Sequence, residues 1–254
     1  TALNLYHLEQ FEQAIIVNSQ LIKLKPDFAL AYNNRAANLL KLGRIESAIK
    51  DLKKTIELSP NMYLPYRTLC KIYRSLKKYD LAVEFGKKAV ELDRDQADSF
   101  VELGFTYQEM DKIDQALENY NEALRIDPQN EDALILVGLY YLDKKDLDSA
   151  MQKFQKAVTS KPDSKRAYYY VGLAYYSQDQ YEQALQNYDK ATEIDSKYEN
   201  PYLGREDVYE KLEKTDLVSK EYDKLIELNP KDSSNYHNRG NAFFSLDKYD
   251  EAIK

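Results

Sequence analysis

A repeat of 34 residues runs through the sequence without an insertion, and it constrains the fold more than any other feature. Proline recurs at one position of this repeat, alanine at a second, glycine at a third and tyrosine at a fourth. Because all four positions stay in register, the chain must consist of copies of one structural motif. The members are Pro26, Pro60, Pro128, Pro162 and Pro230; Ala14, Ala48, Ala82, Ala116, Ala150, Ala184 and Ala252; Gly104, Gly138, Gly172 and Gly240; and Tyr73, Tyr107, Tyr141, Tyr175 and Tyr209.

Each copy has the pattern of two amphipathic helices joined by a turn, as the stretch 97–130 illustrates. Its small residues let the two helices approach closely, and the aromatic residues Phe100, Tyr107 and Tyr120 fill the space around that contact. Pro128 ends the second helix, because proline cannot continue it. The alternating pattern of a half-buried strand is absent from the sequence. The pattern therefore predicts an all-α chain.

The residues at eight positions of this stretch follow one known pattern. They are Phe100, Leu103, Gly104, Tyr107, Ala116, Tyr120, Ala123 and Pro128. Their identities and spacings resemble the tetratricopeptide repeat family, and the resemblance extends over the whole chain. It implies an alpha-alpha superhelix, a right-handed solenoid of antiparallel helix pairs. It also implies that the first helices line a concave groove that usually holds a peptide or partner segment.

The register divides residues 1–254 into one solenoid segment with partial repeats at both ends. The full repeats are 29–62, 63–96, 97–130, 131–164, 165–198 and 199–232, and the partial ones are 1–28 and 233–254. Residue 1 falls inside a first helix and Lys254 inside a second. Because solenoids normally close with a polar capping repeat, we expect this sequence to be a segment of a longer protein.

The repeat 199–232 departs furthest from the common pattern. It has Arg205 and Glu206 where an apolar residue and a glycine are expected, and Val218 where the others have alanine. Two interpretations stay open at this point. The charges pair with each other or with a neighbouring repeat, or the repeat forms a bend or hinge in the solenoid.

Composition limits the classes of partner. The formal net charge is −7 at pH 7, and an acidic chain repels phosphate backbones, so we expect no nucleic acid. The only cysteine, Cys70, cannot form an internal disulfide, which favours a reducing, cytoplasmic location. No apolar run reaches the roughly 18 residues that a membrane span needs, so we expect no membrane insertion.

The first-helix positions that face the groove in this family are apolar in the middle of the chain. The stretches 133–142 and 167–176 are apolar on every side, although packing between repeats covers only part of each helix. Three interpretations stay open: a groove for a partner, curvature that lets these side chains cover one another, and self-association. The residues predicted to bind a partner here are Val101, Phe105, Ile135, Leu139, Leu142, Tyr169, Leu173 and Tyr176.

The same face is polar further upstream. The predicted partner-binding residues there are Asn33, Asn34, Arg67, Lys71 and Arg74. A basic, amide-rich region can take a carboxylate or an acidic segment, and a solvated face is the alternative. Some family members clamp a chaperone's C-terminal carboxylate at three successive first helices. Asn34 matches the middle clamp position, but Leu3, Leu64 and Thr68 replace the remaining clamp residues, so that mode is not supported.

The sequence shows no pattern typical of an active site, so we expect no enzyme activity, no cofactor and no metal. His7 and His237 lie at opposite ends without ligand partners at suitable spacing. No glycine-rich phosphate loop is present, and no serine or cysteine nucleophile has a base nearby. The acidic residues Asp93, Asp95 and Asp98 fit helix capping better than a calcium loop, which would need a glycine and a terminal glutamate.

These observations favour a protein-interaction module, an adaptor or scaffold that holds a protein or peptide segment in its groove. The mixed character of the groove suggests a partner with an acidic or polar end and an apolar stretch. Two alternatives remain. The chain is a structural scaffold that associates with its own copies, or it is the substrate-recruiting arm of a larger enzyme.

Overall fold

The structure, a computed structural model, describes the backbone of residues 2–253 and the side chains of residues 10–253. This part of the chain contains fifteen helices and no strand, in two compact halves, Thr1–Pro128 and Gln129–Lys254. The helices are α1 (Ala2–Leu24), α2 (Ala29–Lys41), α3 (Ile45–Leu58), α4 (Tyr63–Ser75), α5 (Tyr79–Leu92), α6 (Ala97–Glu109), α7 (Ile113–Ile126), α8 (Glu131–Asp143), α9 (Leu147–Ser160), α10 (Lys165–Tyr176), α11 (Tyr181–Ile194), α12 (Asn200–Lys211), α13 (Thr215–Leu228), α14 (Ser233–Ser245) and α15 (Tyr249–Ala252). The predicted all-α fold of consecutive helix pairs is confirmed.

Each full repeat contributes one first helix and one second helix, from α2 and α3 through to α12 and α13. The partial repeat 1–28 differs from this plan, because Ala2–Leu24 is one uninterrupted helix. The register would place a turn near residues 8–10, but Leu, Glu and Gln occupy these positions and all three favour helix. The described part of this repeat is therefore a single long helix.

The turn inside each pair uses one residue in the left-handed conformation, again at 34-residue spacing. Gly43 adopts it with φ of 70°, and non-glycine residues such as Asp179, with φ of 57°, adopt it in the other repeats. In the repeat 165–198 the amide of Gln180 then donates to the carbonyl of Tyr175 at 3.0 Å. This bond satisfies a carbonyl that the end of the first helix leaves open. The left-handed residues are Gly43, Lys77, Asp111, Lys145, Asp179, Glu213 and Asp247.

One column of tyrosines ties successive repeats together. The hydroxyl of Tyr66 donates to the carbonyl of Pro60 at 3.0 Å, and that of Tyr202 donates to the carbonyl of Ser196 at 3.0 Å. The hydroxyl of Tyr32 likewise donates to the carbonyl of Pro26 in the preceding repeat. Each bond joins the first turn of a first helix to the loop before it. These tyrosines are therefore structural, as the register suggested.

The contact between the two helices of a pair depends on small residues beneath large ones. Ala150 and Ala184 are fully buried. A Cβ atom added to Gly138 would lie 2.4 Å from the Phe154 ring, and one added to Gly172 would lie 2.5 Å from the Tyr188 ring. Only glycine lets the second-helix rings lie so close to the first-helix backbone. These close contacts fix how α8, α10 and their partner helices pack.

Candidate partner-binding surface

Arg74, one of the predicted basic residues in the N-terminal half, is paired with two carboxylates within the protein. Its guanidinium donates to Glu109 at 2.7 Å and to Glu102 at 3.0 Å. It also lies 5.1 Å from the centre of the Phe105 ring. Burial disfavours its charged form, but the hydrogen bonds and charges of Glu109 and Glu102 outweigh this and raise the pKa of Arg74. This residue is a bridge between helices.

The other two predicted basic residues are also paired. Arg67 donates to Asp98 at 3.1 Å, and the ammonium of Lys71 lies 3.5 Å from a carboxylate oxygen of Glu102. Because α6 supplies an acid opposite each basic residue of α4, no patch of uncompensated positive charge remains there. This neutralisation weakens the expectation that the face takes an acidic segment.

The remaining predicted residues of the N-terminal half differ in accessibility. Asn34 is exposed, and Asn33 and Phe105 are half-buried. Val101 was predicted to bind a partner, but it is only 4% exposed. This prediction for Val101 needs correction, because a side chain so completely covered has no area left to offer a partner.

Ile135, in the C-terminal half, also needs correction, because it is fully buried. It lies in a stretch of α8, residues 133–138, in which every residue is buried. Leu139 and Leu142, one turn further along the same helix, are half-buried and pack against the cluster around Phe154 and Val171. The end of α8 therefore offers partial surface, whereas residues 133–138 offer none.

Tyr169, on α10, belongs to a cluster of aromatic rings. Its ring centre lies 5.0 Å from that of Tyr170, 5.8 Å from that of Tyr188 and 5.9 Å from that of Tyr198. Burial is the largest cause of the raised pKa of Tyr169. Such pairs stabilise the fold as well as offering ring edges to a partner. Tyr169 is partly a core residue.

Leu173 and Tyr176, also on α10, are more accessible to a partner. Both are half-buried. The centre of the Tyr176 ring lies 5.9 Å from that of the Tyr181 ring. Leu173 is not among the residues packed against the core clusters around Phe154 and Tyr188. Its side chain can therefore change with little effect on those clusters.

The helices that carry these residues contact one another, since α10 packs against both α8 and α12. We call the predicted partner-binding residues of α8 and α10 that are half-buried the apolar face. Its side chains are neither fully covered nor fully exposed, so the face lies between an open groove and side chains that cover one another, two of the three interpretations that the sequence left open. The apolar face consists of Leu139, Leu142, Tyr169, Leu173 and Tyr176.

Carboxylates on α12 border the apolar face. Asp207 and Glu210 are exposed, whereas Glu206 is only 7% exposed. After burial, the negative charges of Asp207 and Glu210 are the main reasons that the pKa of Tyr176 is raised, so these acids lie near its hydroxyl. The sequence analysis missed this acidic border. The available signal was Glu206, a charged residue in the glycine column.

Arg205, the other anomalous residue of this repeat, is compensated. Its guanidinium donates to Glu221 of its own repeat at 2.9 Å and to Asp189 of the preceding repeat at 2.8 Å. It also lies 4.7 Å from the centre of the Tyr202 ring. For Arg205, the structure supports the interpretation that the unusual charges pair with a neighbour.

Two further kinds of feature, a metal site and a membrane-spanning helix, are absent from the described residues. No group of three or more His, Cys, Asp or Glu side chains there could hold a metal ion, and no helix there is long and apolar enough to cross a bilayer. His237 hydrogen-bonds to Asn241 at 3.2 Å. His7 and Leu3 lie outside the described side chains.

Family models match the chain in five segments. Models described as tetratricopeptide repeat match residues 29–62, 69–96, 101–165 and 221–254, and a model described as TPR repeat matches residues 172–213. Together these segments cover most of the chain. No curated protein sequence matches it.

Solved structures of similar fold include several with the same repeat. A chain of the APC/C heterotetramer Cut9–Hcn1 is 15% identical with a TM-score of 0.76, over 98% of this chain and 47% of that one. This chain thus spans about half the length of that relative. A tetratricopeptide repeat protein from Parabacteroides merdae is 20% identical with a TM-score of 0.68, over 88% of this chain and 89% of its own.

YrrB, described as a TPR protein with an unusual peptide-binding site, is 23% identical with a TM-score of 0.53, over 72% of this chain and 95% of its own. Identities this low show the fold alone. Models of this repeat, however, match five segments between residues 29 and 254. The chain therefore belongs to the tetratricopeptide repeat family and has the fold of a protein-interaction scaffold.

Proposed function

We propose that the C-terminal half binds an extended or helical protein segment on the apolar face, and that the chain acts as an adaptor through this contact. One observation carries the proposal. Half-buried aromatic and aliphatic side chains lie on two contacting first helices, α8 and α10, and carboxylates of α12 border them. YrrB, which is similar in fold, is described as having a peptide-binding site, so binding of this kind is compatible with the architecture.

The apolar face can supply only part of the affinity. Full burial of a large apolar side chain gains about 1.5–3 kcal/mol. The five side chains of the face are already half-buried, so covering the rest gains roughly 4–8 kcal/mol in total. Association costs about 4–15 kcal/mol. A partner that binds well must therefore make polar or charged contacts in addition to apolar ones.

The structure changes which charge we propose for the partner. The sequence suggested an acidic or polar end, received by Arg67, Lys71 and Arg74. All three are already paired with acids of α6. The carboxylates that border the apolar face, Asp207 and Glu210, lie near Tyr176 at the C-terminal end of α10. We therefore favour a segment with apolar side chains and no excess of negative charge.

The test is a selection from a displayed library of random peptides, followed by affinity measurements on the purified chain. We expect selected peptides to lose about tenfold or more in affinity with Leu173→Asp, because the new carboxylate lies in the middle of the apolar face. Tyr176→Ala should lower affinity as well, since it removes the most accessible ring. Helicity should change little in both variants, and thermal stability should change little with Leu173→Asp. Tyr176→Ala should lower thermal stability modestly, because Tyr176 packs against the cluster around Tyr188.

The matched controls are Gln152→Asp and Gln186→Asp, exposed residues of the second helices α9 and α11. They add the same charge away from the apolar face and should leave affinity unchanged. Binding that survives Leu173→Asp but is lost with Gln186→Asp would contradict the proposal. Light scattering across concentrations tests the alternative of self-association, in which Leu173→Asp would convert a dimer into a monomer.

A further inference from the structure

A cavity of about 610 Å³ lies between α12, α13 and α14 in the C-terminal half. We call it the acidic cavity. Its volume is in the range of pockets that hold small ligands or single side chains. Its walls are mostly polar, which is unusual for a gap between packed helices. The lining residues are Glu206, Glu210, Glu213, Thr215, Val218, Tyr222, Asn238, Asn241, Ala242 and Ser245.

Glu206 lies at the inner wall of this cavity and is only 7% exposed. No Lys or Arg of the described chain lies within 4 Å of its carboxylate or that of Glu210. The adjacent Arg205 pairs with Glu221 and Asp189 instead. A buried carboxylate without a counter-charge is costly unless it takes up a proton or a cation from elsewhere compensates it.

Every group that faces Glu206 is either neutral or acidic. Asp207 and Glu210 lie on the same helix and both add negative charge. From α13 the hydroxyl of Tyr222 hydrogen-bonds to it, and Tyr176 of α10 is close enough to feel its charge. From α14, Asn238 is neutral and lines the cavity.

Burial, with the charges of Glu210 and Asp207, raises the pKa of Glu206 to about 7. At neutral pH its carboxyl is therefore divided between a protonated and an ionised form. A bound cation would favour the ionised form. The only histidine near the rim, His237, contacts the lining residue Asn241.

From the cavity, its buried uncompensated carboxylate and its acidic rim, we infer that the acidic cavity receives a lysine or arginine side chain of the bound segment. The inference rests on the proposed function and specifies the partner. The positive head would pair with Glu206 and Glu210, and the aliphatic stem would lie against the more accessible lining residues Thr215 and Asn241. Apolar residues of the same segment would cover the apolar face, whose Tyr176 lies near Asp207 and Glu210.

The decisive experiment uses n-pentylammonium, which reproduces the end of a lysine side chain, and needs no peptide. In an NMR titration we expect saturable shifts of the amide signals of Tyr222 and Asn238. Neutral n-pentanol at the same concentration should produce none. Glu206→Gln should weaken binding about tenfold, because it keeps the shape and removes the charge. Glu182→Gln, an exposed acid of α11, is the matched control and should bind as the original chain does.

The pH dependence provides an independent readout. The affinity for n-pentylammonium should rise between pH 6 and pH 8 as Glu206 ionises, about tenfold in total. Any contribution of His237 is retained in Glu206→Gln, so only the additional change belongs to Glu206. Equal shifts with pentanol, equal weakening by Glu182→Gln, or no shift at all would each overturn the inference.

The peptides selected for the apolar face separate this inference from the proposed function. We expect them to contain a lysine or arginine whose replacement by norleucine weakens binding about tenfold. The same replacement should cause no further loss of affinity in the Glu206→Gln variant. Peptides that depend on Leu173 but carry no essential basic residue would contradict the inference and leave the proposed function intact.

Discussion

The repeats 165–198 and 199–232 place different residues at the same positions of the 34-residue register, and they form different structures there. In the first, Gly172 lies beneath the ring of Tyr188, which is fully buried. In the second, Glu206 lies opposite Tyr222 and a cavity opens beside both. The change from glycine to glutamate in this column therefore separates a closed core contact from a buried polar contact beside a cavity.

The neighbouring column changes in the same repeat. Val171 is buried against the apolar cluster around Phe154, whereas Arg205 at the corresponding position bonds to Glu221 and Asp189. The repeat 199–232 therefore keeps the helix pair but holds it with charges. Of its two new charges, one is compensated within the protein and the other is not. This difference explains why we assign a structural role to Arg205 and a binding role to Glu206.

The largest expected effect follows from removing the compensated charge. Arg205→Met should lower the free energy of unfolding by about 4 kcal/mol, because it leaves the carboxylate of Glu221 without a partner in a site where that side chain is 12% exposed. Urea unfolding followed by circular dichroism measures the change. Methionine keeps the unbranched aliphatic stem, so the lost packing is limited to the guanidinium over the Tyr202 ring.

The double variant Arg205→Met with Glu221→Met is the matched control. A buried ion pair replaced by apolar residues of similar volume is often neutral, so we expect the double variant to regain most of the lost stability. A double variant as unstable as the single one would show that Arg205 acts through packing, and the contrast between the two repeats would then be one of shape rather than charge.

The next largest effect concerns the closed contact of the repeat 165–198. Gly172→Ala should cost about 3 kcal/mol, because the new Cβ would lie 2.5 Å from a Tyr188 ring that is 1% exposed and has no room to move. Thermal and urea unfolding measure it. Alanine is the better helix former, so the exposed control Gln183→Ala of α11 should be neutral or slightly stabilising. A Gly172→Ala variant as stable as the original chain would mean that the Tyr188 ring has room to move away from the new methyl group.

The fold was predictable because it depends on local and repeated signals. Ala150 and Ala184 recur at the repeat spacing, and the glycines lie beneath aromatic rings of the same helix pair. The prolines act between one repeat and the next. The register alone would place a turn near residues 8–10, whereas α1 is continuous helix there. Leu, Glu and Gln favour helix, and the register alone could not show that this local preference would prevail.

The candidate site was less predictable, because burial and charge pairing depend on neighbours up to 35 residues away in the sequence. Arg74 lies on the first helix α4, but its pairing with Glu102 and Glu109 is a property of the next repeat. Ile135 was predicted to be accessible from its helix face, yet it is fully buried. Glu206 was noticed as an anomaly, but the sequence did not show that Arg205 would pair elsewhere and leave it uncompensated.

The smallest effect tests the uncompensated charge itself. The pKa of Glu206 is raised from 4.5 to about 7 in the folded chain, so the folded state binds its proton more tightly than the unfolded state does. The stability that this provides is fully present below about pH 4.5 and is lost as the pH rises through about 7. Glu206→Gln removes this dependence while keeping an oxygen that can accept a hydrogen bond from Tyr222.

At pH 8 we therefore expect Glu206→Gln to be more stable than the original chain by about 2 kcal/mol, and at pH 5 to be nearly equal to it. Urea unfolding of both chains at pH 5, 6, 7 and 8 measures the difference, in which contributions from other groups such as His237 cancel. A difference that does not change with pH would show that Glu206 is compensated in the folded chain, and the repeat 199–232 would then hold both of its unusual charges as structure. A difference that grows with pH and disappears when n-pentylammonium saturates the original chain would connect the cost of this carboxylate directly to the cation that it binds.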